Sequence, residues 1–314
     1  MRIQNNTTAF NVWSNYTSNL SKMQASMSKL STGEIANTDD PAGVGISERM
    51  RAQIKSVSMA RQNADNAISL LQTADSWLQK INDQVARMKQ LAIEANSGTM
   101  SAGDKENIQI EFKAMQEEIT RITSKYTAAA KFNGIYLFRG GNGLAANATG
   151  DAAPASSSAI TVQVGADINQ QLELSLKDLQ VTNTAVIGTV STYSYGSGTT
   201  VLFSSHTNVG WNSVIDTSKM SVGDANVVGK LDVAIDYIAS ARASMAAQQN
   251  RVSQTSSGLL SYEDNLRAAE SKIRDVDMAR ESTSFSKYQV LTNASNAMLA
   301  QANQLPQNVL QLLG

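Results

Sequence analysis

The two ends of the chain carry no charged residues over long stretches, and this limits the possible folds more than any other feature. Residues 288–314 contain no Asp, Glu, Lys or Arg, and neither do residues 3–21. Apolar residues recur there at steps of three and four, which predicts two amphipathic helices. Asn and Gln fill much of the remaining surface and argue against a membrane span. We expect the terminal helices to pair with each other and their outer faces to pair with further copies of the chain.

The apolar positions of these two helices define the surfaces that we expect to be buried. The N-terminal series is Ala9, Trp13, Tyr16, Leu20, Met23, Met27 and Leu30. The C-terminal series is Leu291, Ala294, Met298, Ala302, Leu305, Val309 and Leu312. From these series we select the following residues for core packing of the chain ends: Trp13, Leu20, Met27, Leu291, Met298, Leu305 and Leu312.

Long helical patterns lie inside the two charge-free ends. The first begins at Asp39-Asp40-Pro41, which is typical of a helix start. It carries a regular seam of Ala64, Ala67, Leu71, Ala74, Leu78, Ile81, Val85, Met88 and Ala92. Sustained heptads of this kind indicate coiled-coil packing. Helical periodicity returns at Leu231, Ile235, Ile238, Met245 and Val252 and continues to the C-terminus.

The middle of the chain differs in composition and predicts β structure. Residues 160–164 and 172–176 alternate with period two, which predicts a hairpin within 160–179. Residues 180–223 are rich in Gly, Ser and Thr, and we expect exposed loops or edge strands there. The predicted fold is mainly α, a long antiparallel coiled-coil-like bundle formed by both chain ends with a small β-rich insert. Its three parts are 1–38 with 279–314, 39–138 with 224–278, and the insert 139–223.

Composition argues against several classes of function. The chain has no Cys and a single His, so it offers little for thiolate metal sites or acid–base catalysis. The net charge of −1 gives no reason to expect nucleic acid as a partner. We predict no catalytic residues, no metal site and no cofactor, and therefore no enzyme. No Sec-type signal pattern begins the sequence, so export would need another route.

Several short motifs together resemble one known family. Those of the first half are Leu30-Ser-Thr-Gly33, Asp39-Asp-Pro-Ala-Gly43, Ile46-Ser-Glu-Arg-Met50, Gln62-Asn-Ala-Asp-Asn-Ala-Ile68 and Phe132-Asn-Gly134. Those of the second half are Gln249-Asn-Arg251, Glu270-Ser-Lys-Ile-Arg-Asp275 and Met298-Leu-Ala-Gln-Ala-Asn-Gln-Leu-Pro-Gln-Asn-Val-Leu310. Over residues 1–138 and 224–314 the chain resembles bacterial flagellin. It departs from the family between Gly33 and Asp39, where the chain is shorter and Glu34 stands near a position often occupied by a basic residue.

The resemblance implies a secreted structural subunit that polymerises into the extracellular flagellar filament and serves swimming motility. It implies that 1–38 with 279–314 form the inner core of the filament, that the long helices form a rod domain outside it, and that 139–223 forms the outer surface. It also implies type III export, a chaperone on the C-terminal helix, a filament cap protein and a hook–filament junction protein as partners.

The resemblance also implies a contact surface at Arg87, Leu91 and Glu111. Matching positions in the family contribute to subunit packing and to recognition by Toll-like receptor 5. The alternative is that Arg87 and Glu111 are simply solvated and that Leu91 packs on a third helix.

Other functions remain open from the sequence alone. The chain could be a hook–filament junction protein, which has similar ends but terminates growth. An enzyme carried in the insert and a soluble helical adhesin are further alternatives. The Ser/Thr-rich insert is either O-glycosylated or a plain polar surface.

Overall fold

A computed structural model describes most of the chain. It covers residues 6–36, 39–124, 127–138, 160–180, 186–194, 203–224 and 226–313, with only the backbone described for 191–194, 203–208 and 305–313. The helices of the described residues are α1 Thr7–Thr32, α2 Pro41–Ala95, α3 Ala102–Thr123, α4 Trp211–Ile215, α5 Val227–Arg274 and α6 Met278–Leu313. The strands are β1 Lys131–Phe132, β2 Ile135–Tyr136, β3 Ile160–Gln163, β4 Gln171–Leu174, β5 Val186–Ser194 and β6 Phe203–Gly210.

The chain divides into two compact units. The first contains residues 1–55 and 262–314, and the second contains residues 56–261. The mainly helical architecture with a small central set of strands confirms the predicted fold class. The filament roles given to the three sequence segments are not tested by a single chain and stay predictions. None of the helices within the described residues combines the length and hydrophobicity of a membrane-spanning segment.

In the first unit the terminal helices α1 and α6 pair antiparallel, as predicted. Near one end of the pair, Asn6 Nδ2 donates to the carbonyl of Ala302 at 2.9 Å. Further along, Asn19 Nδ2 donates to Ser295 Oγ at 3.4 Å. The side chain of Asn6 also caps α1. The helix ends at Gly33, whose φ of 73° is left-handed and suits the residue that follows a helix.

In the second unit the predicted seam of α2 is confirmed. Every one of its members, from Ala64 to Ala92, is at most 4% exposed and belongs to one hydrophobic cluster with residues of α3 and α5. Ion pairs link α2 to α5 in an antiparallel sense. Arg242 Nε lies 2.8 Å from Asp75 Oδ1, and Lys89 Nζ lies 2.5 Å from Asp232 Oδ1.

Helix α3 begins with a capping box. Ser101 Oγ accepts from the backbone of Asp104, and the Asp104 carboxylate accepts from the backbone of Ser101. This reciprocal pair satisfies backbone donors that the first turn of a helix leaves free. The structure therefore places the N-terminal cap of α3 at Ser101.

Short antiparallel hairpins follow α3. Strands β1 and β2 are joined by Asn133 and Gly134, both with positive φ, as a two-residue hairpin turn requires. Strands β3 and β4 form the hairpin predicted within 160–179. Leu172 and Leu174 of β4 point inward and are buried, whereas the intervening Glu173 is exposed.

The prediction of exposed structure for 180–223 is wrong for its last part. After the β5–β6 hairpin, the segment 211–222 enters the core, and Trp211, Val214 and Ile215 are fully buried. Trp211 Nε1 donates to the carbonyl of Leu179 at 2.6 Å. Gln116 of α3 donates to the carbonyl of Val214 at 3.0 Å. The apolar residues of this segment are few and are flanked by Ser, Thr and Gly. The run is therefore too short to show helical or strand periodicity in the sequence.

Candidate functional site

The terminal pair contains an inner seam that differs from the one predicted. In α1 the partly or fully buried heptad positions are Ala9, Val12, Tyr16, Asn19, Met23, Ser26 and Leu30. In α6 they are Glu281, Phe285, Tyr288, Thr292, Ser295, Leu299 and Ala302. Small and polar side chains such as Ser26, Thr292 and Ala302 are the most deeply buried of these. The two helices are therefore most tightly buried against each other at small and polar residues, while the larger side chains of the seam are only partly buried.

Several large apolar side chains are exposed on the surface of this pair. We call six of these exposed residues the outer terminal stripe; they are Phe10, Trp13 and Met27 of α1 and Val290, Leu291 and Met298 of α6. Phe10 is 66% exposed, Trp13 51% and Met298 59%. Phe10 and Trp13 also lie side by side, with ring centroids 6.0 Å apart. Exposed aromatic and methionine side chains are typical of surfaces that bind other protein.

The residues selected for packing of the chain ends thus fall into three groups. Trp13, Met27, Leu291 and Met298 are exposed in the lone chain, and Leu20 is half-buried. Leu305 and Leu312 lie in α6, but their side chains fall outside the described part of the chain. Contacts within one chain do not bury the exposed four, so their packing stays a prediction about contacts between subunits.

The second candidate surface is on α2 and α3. Arg87 Nη2 lies 2.7 Å from Glu111 Oε1, and Arg87 Nε donates to the same oxygen at 2.9 Å. The two side chains are close to half exposed, at 47% and 41%. An ion pair with this exposure contributes only about 0.2–1 kcal/mol to stability. The Arg87–Glu111 pair therefore adds little to the stability of the fold and remains accessible to a partner at the surface.

Leu91 does not share this surface with Arg87, contrary to the expected arrangement. Its side chain is 1% exposed and belongs to the main hydrophobic cluster. Leu91 instead packs inward beside Met88 and Ala92, which are also fully buried. The structure therefore places Leu91 in the core, as the alternative interpretation held, and leaves Arg87 and Glu111 as the accessible pair.

A third cluster, which the sequence did not single out as a site, lies where α1 passes into α2. Glu34 meets Arg51 and Arg274 there, and Arg51 also meets Glu270. Its acidic and basic members stand far apart in the sequence, so no local motif could have identified it. Among the described residues there is no group of three or more His, Asp or Glu side chains that could hold a metal ion.

Comparison with known proteins decides the family. Residues 3–143 match the bacterial flagellin N-terminal helical region, and residues 228–313 match the bacterial flagellin C-terminal helical region. The chain belongs to the bacterial flagellin family. Flagellins are structural proteins and not enzymes, so the prediction that this chain is no enzyme is confirmed.

Two relatives compared by sequence cover nearly the whole chain. The flagellin of Bacillus subtilis (strain 168) is 37% identical over 319 residues, which cover 100% of this chain and 100% of that protein. The flagellar filament 33 kDa core protein of Treponema phagedenis is 36% identical over 293 residues, which cover 93% and 92% of the two chains. The crystal structure of Bacillus cereus flagellin is 23% identical, covers 67% of this chain and 94% of that chain, and has a TM-score of 0.43.

Proposed function

We propose that this flagellin family member polymerises into the flagellar filament, and that the outer terminal stripe is the surface through which it does so. One observation carries the proposal. Phe10 and Trp13 of α1 and Val290, Leu291 and Met298 of α6 are exposed in a single chain, on stretches that carry no charge that would oppose close packing. A relative named as a filament core protein adds support.

The residues of the outer terminal stripe are incompletely buried in a single chain. Fully burying a side chain of this size contributes about 1.5–3 kcal/mol. Residues that are half exposed, such as Trp13 and Met27, therefore have about 1 kcal/mol each still to gain from a neighbouring subunit. Several such residues on each of two helices make association with further copies favourable. No residue needs to perform chemistry, because the function is mechanical.

The test is seeded elongation of the purified chain. Monomer is added to short filament fragments, and growth is followed by electron microscopy. We expect the unchanged chain to elongate the seeds and Trp13→Asp to fail, because a charge on the stripe cannot be desolvated at the contact. The control is Asn15→Asp, which adds the same charge at an exposed position of α1 outside the stripe. Normal growth of Trp13→Asp would contradict the proposal.

The same experiment separates the alternative of a hook–filament junction protein. A junction protein caps seeds without extending them, whereas a filament subunit adds length in proportion to the monomer supplied. Export through the flagellar type III apparatus, an extracellular location, and contacts with an export chaperone, a cap protein and a junction protein accompany the filament proposal. Each of these expectations rests on family membership. A pull-down with each purified partner tests the three protein contacts.

A second role is favoured by the Arg87–Glu111 pair. Both side chains are accessible and carry opposite charges held in one geometry, which suits recognition by a protein partner. We propose that this pair takes part in subunit packing and in recognition by Toll-like receptor 5, with Leu91 acting only as support from the core. A receptor reporter assay on Glu111→Ala tests the receptor role, with Glu117→Ala, exposed on the same helix, as the control.

A further inference from the structure

The segment between α1 and α2 is docked on the end of α5. We call residues Gly33 to Ala36 the connector. Ile35 N donates to the carbonyl of Arg274 at 2.8 Å, and Val276 N donates to the carbonyl of Gly33 at 3.0 Å. Glu34 and Asp275 form a single antiparallel bridge between these two bonds. Two backbone hydrogen bonds without a longer ladder form a weak junction, since strands this short are marginal alone.

The side chain of Glu34 adds a charged link to this junction. One carboxylate oxygen, Oε1, lies 2.6 Å from Arg51 Nη2 of α2. The other, Oε2, lies 2.8 Å from Arg274 Nη2 and accepts from Arg274 Nε at 2.9 Å. Each oxygen is thus bonded to a guanidinium from a different helix. Charge-assisted hydrogen bonds of this kind are roughly twice as strong as those between neutral groups.

The neighbouring groups complete the cluster. Glu270 of α5 accepts from Arg51 Nε at 2.8 Å. Glu48 of α2 lies further away, 3.5 Å from Arg274 and 3.9 Å from Arg51, and is more exposed. Ser47 accepts from Arg274, and the carboxylate of Asp275 accepts from Ser271. Only Glu34 connects the connector itself to both arginines.

We propose that Glu34 is the charged link that keeps the connector docked on α5, and that this docking fixes the orientation of α1 relative to the start of α2. Without this link the connector separates from α5 while the helices on either side stay folded. The consequence for the filament rests on the proposed function: regular packing of the terminal helices requires a fixed orientation, so filaments should be less stable when the link is lost.

The cluster also predicts how the link depends on solution conditions. Hydrogen bonds from Arg51 and then Arg274 lower the pKa of Glu34 below its usual range. The stabilisation is therefore fully present above the ordinary glutamate pKa and is lost as the pH falls through the lowered value. The link is partly exposed, so salt screens it, since the Debye length falls to about 3 Å at 1 M ionic strength.

The test uses amide hydrogen exchange of the full-length monomer at fixed pH. The reporters are the amides of Ile35 and Val276, which bond across the junction. We expect Glu34→Gln to raise both exchange rates about tenfold, the scale for a lost charge-assisted hydrogen bond. The matched control is Glu48→Gln, the same change within the same cluster, which should alter both rates less than about twofold. Unchanged rates in Glu34→Gln, or an equal rise in Glu48→Gln, would overturn the proposal.

Two further measurements separate loss of the Glu34 link from a general loss of helix structure. Helix content by circular dichroism should be the same in Glu34→Gln and the unchanged chain. Should the variant lose helix, the unchanged chain in 0.05 M and 1 M NaCl provides the test: salt must speed exchange at Ile35 and Val276 but not at Leu78 in the buried seam. Equal exchange at both salt concentrations overturns the proposal.

The filament consequence is tested separately. Filaments of Glu34→Gln should dissociate at a lower temperature than filaments of the unchanged chain. Equal dissociation temperatures would overturn the claim that docking supports packing. Failure of the unchanged chain to elongate seeds would instead refute the filament function and leave the monomer exchange result standing.

Discussion

At the scale of single side chains, Arg87 and Leu91 lie one helical turn apart but differ in environment. Arg87 is close to half exposed in an ion pair, whereas Leu91 is fully buried. We predict that Arg87→Asp changes the free energy of unfolding by less than about 1 kcal/mol. It should nevertheless slow seeded elongation, because the new carboxylate repels Glu111 and any acidic group of a neighbouring subunit that would contact Arg87. The control is Arg121→Asp, which disrupts another exposed pair, that with Glu118. Normal filament growth by Arg87→Asp would count against a contact role.

For Leu91, which is fully buried, we expect a substitution to lower the stability of the fold. Leu91→Ala leaves a cavity among tightly packed neighbours and should lower the free energy of unfolding by about 2–5 kcal/mol. Ile93→Ala, two residues further along α2 and 54% exposed, should cost less than about 1 kcal/mol. Urea unfolding of the two variants measures both values. Equal costs would show that Leu91 is not in the core.

At the scale of elements, segment 211–222 depends on α3. The side chain of Gln116 is fully buried and donates to the carbonyl of Val214 at 3.0 Å and to that of Met220 at 3.5 Å. Gln116→Ala would leave these carbonyls without that donor, so we predict a loss of about 1–3 kcal/mol. Glu117→Ala, on the exposed side of α3, should stay within about 0.5 kcal/mol. Thermal unfolding measures both, and faster amide exchange confined to 211–222 would locate the effect.

The elements show why some features were predictable and others not. The seam of α2 and the caps at Ser101 and Gly33 follow local rules of period and chirality, and the sequence displays them directly. The inner seam of α1 does not, because Trp13 and Met27 continue an equally good heptad one position away from Val12 and Ser26. A lone chain buries one stripe, and we propose that neighbouring subunits of a polymer bury the other. Sequence period reveals both stripes but not which partner covers each.

Long-range charge geometry is hidden from the sequence for a related reason. Glu34 and Arg274 are 240 positions apart in the sequence. They meet because the end of α5 lies beside the connector that follows α1. Glu34 appeared in the sequence as a departure from the family pattern in a shortened connector. The structure gives that departure a physical account, since two guanidinium groups neutralise the acid there.

At the scale of the whole molecule, the proposed filament function makes the terminal helices necessary for contacts between copies of the chain and not for folding of the remainder. We predict that a chain restricted to residues 41–277 folds and stays monomeric under conditions in which the full chain elongates seeds. The reason is that the buried cluster of α2, α3 and α5 is retained in full, whereas the outer terminal stripe is removed. Sedimentation velocity measures the mass, and circular dichroism measures the helix content. Long tubes built by the shortened chain would show that subunits join through the remaining helices and would contradict the role given to the stripe.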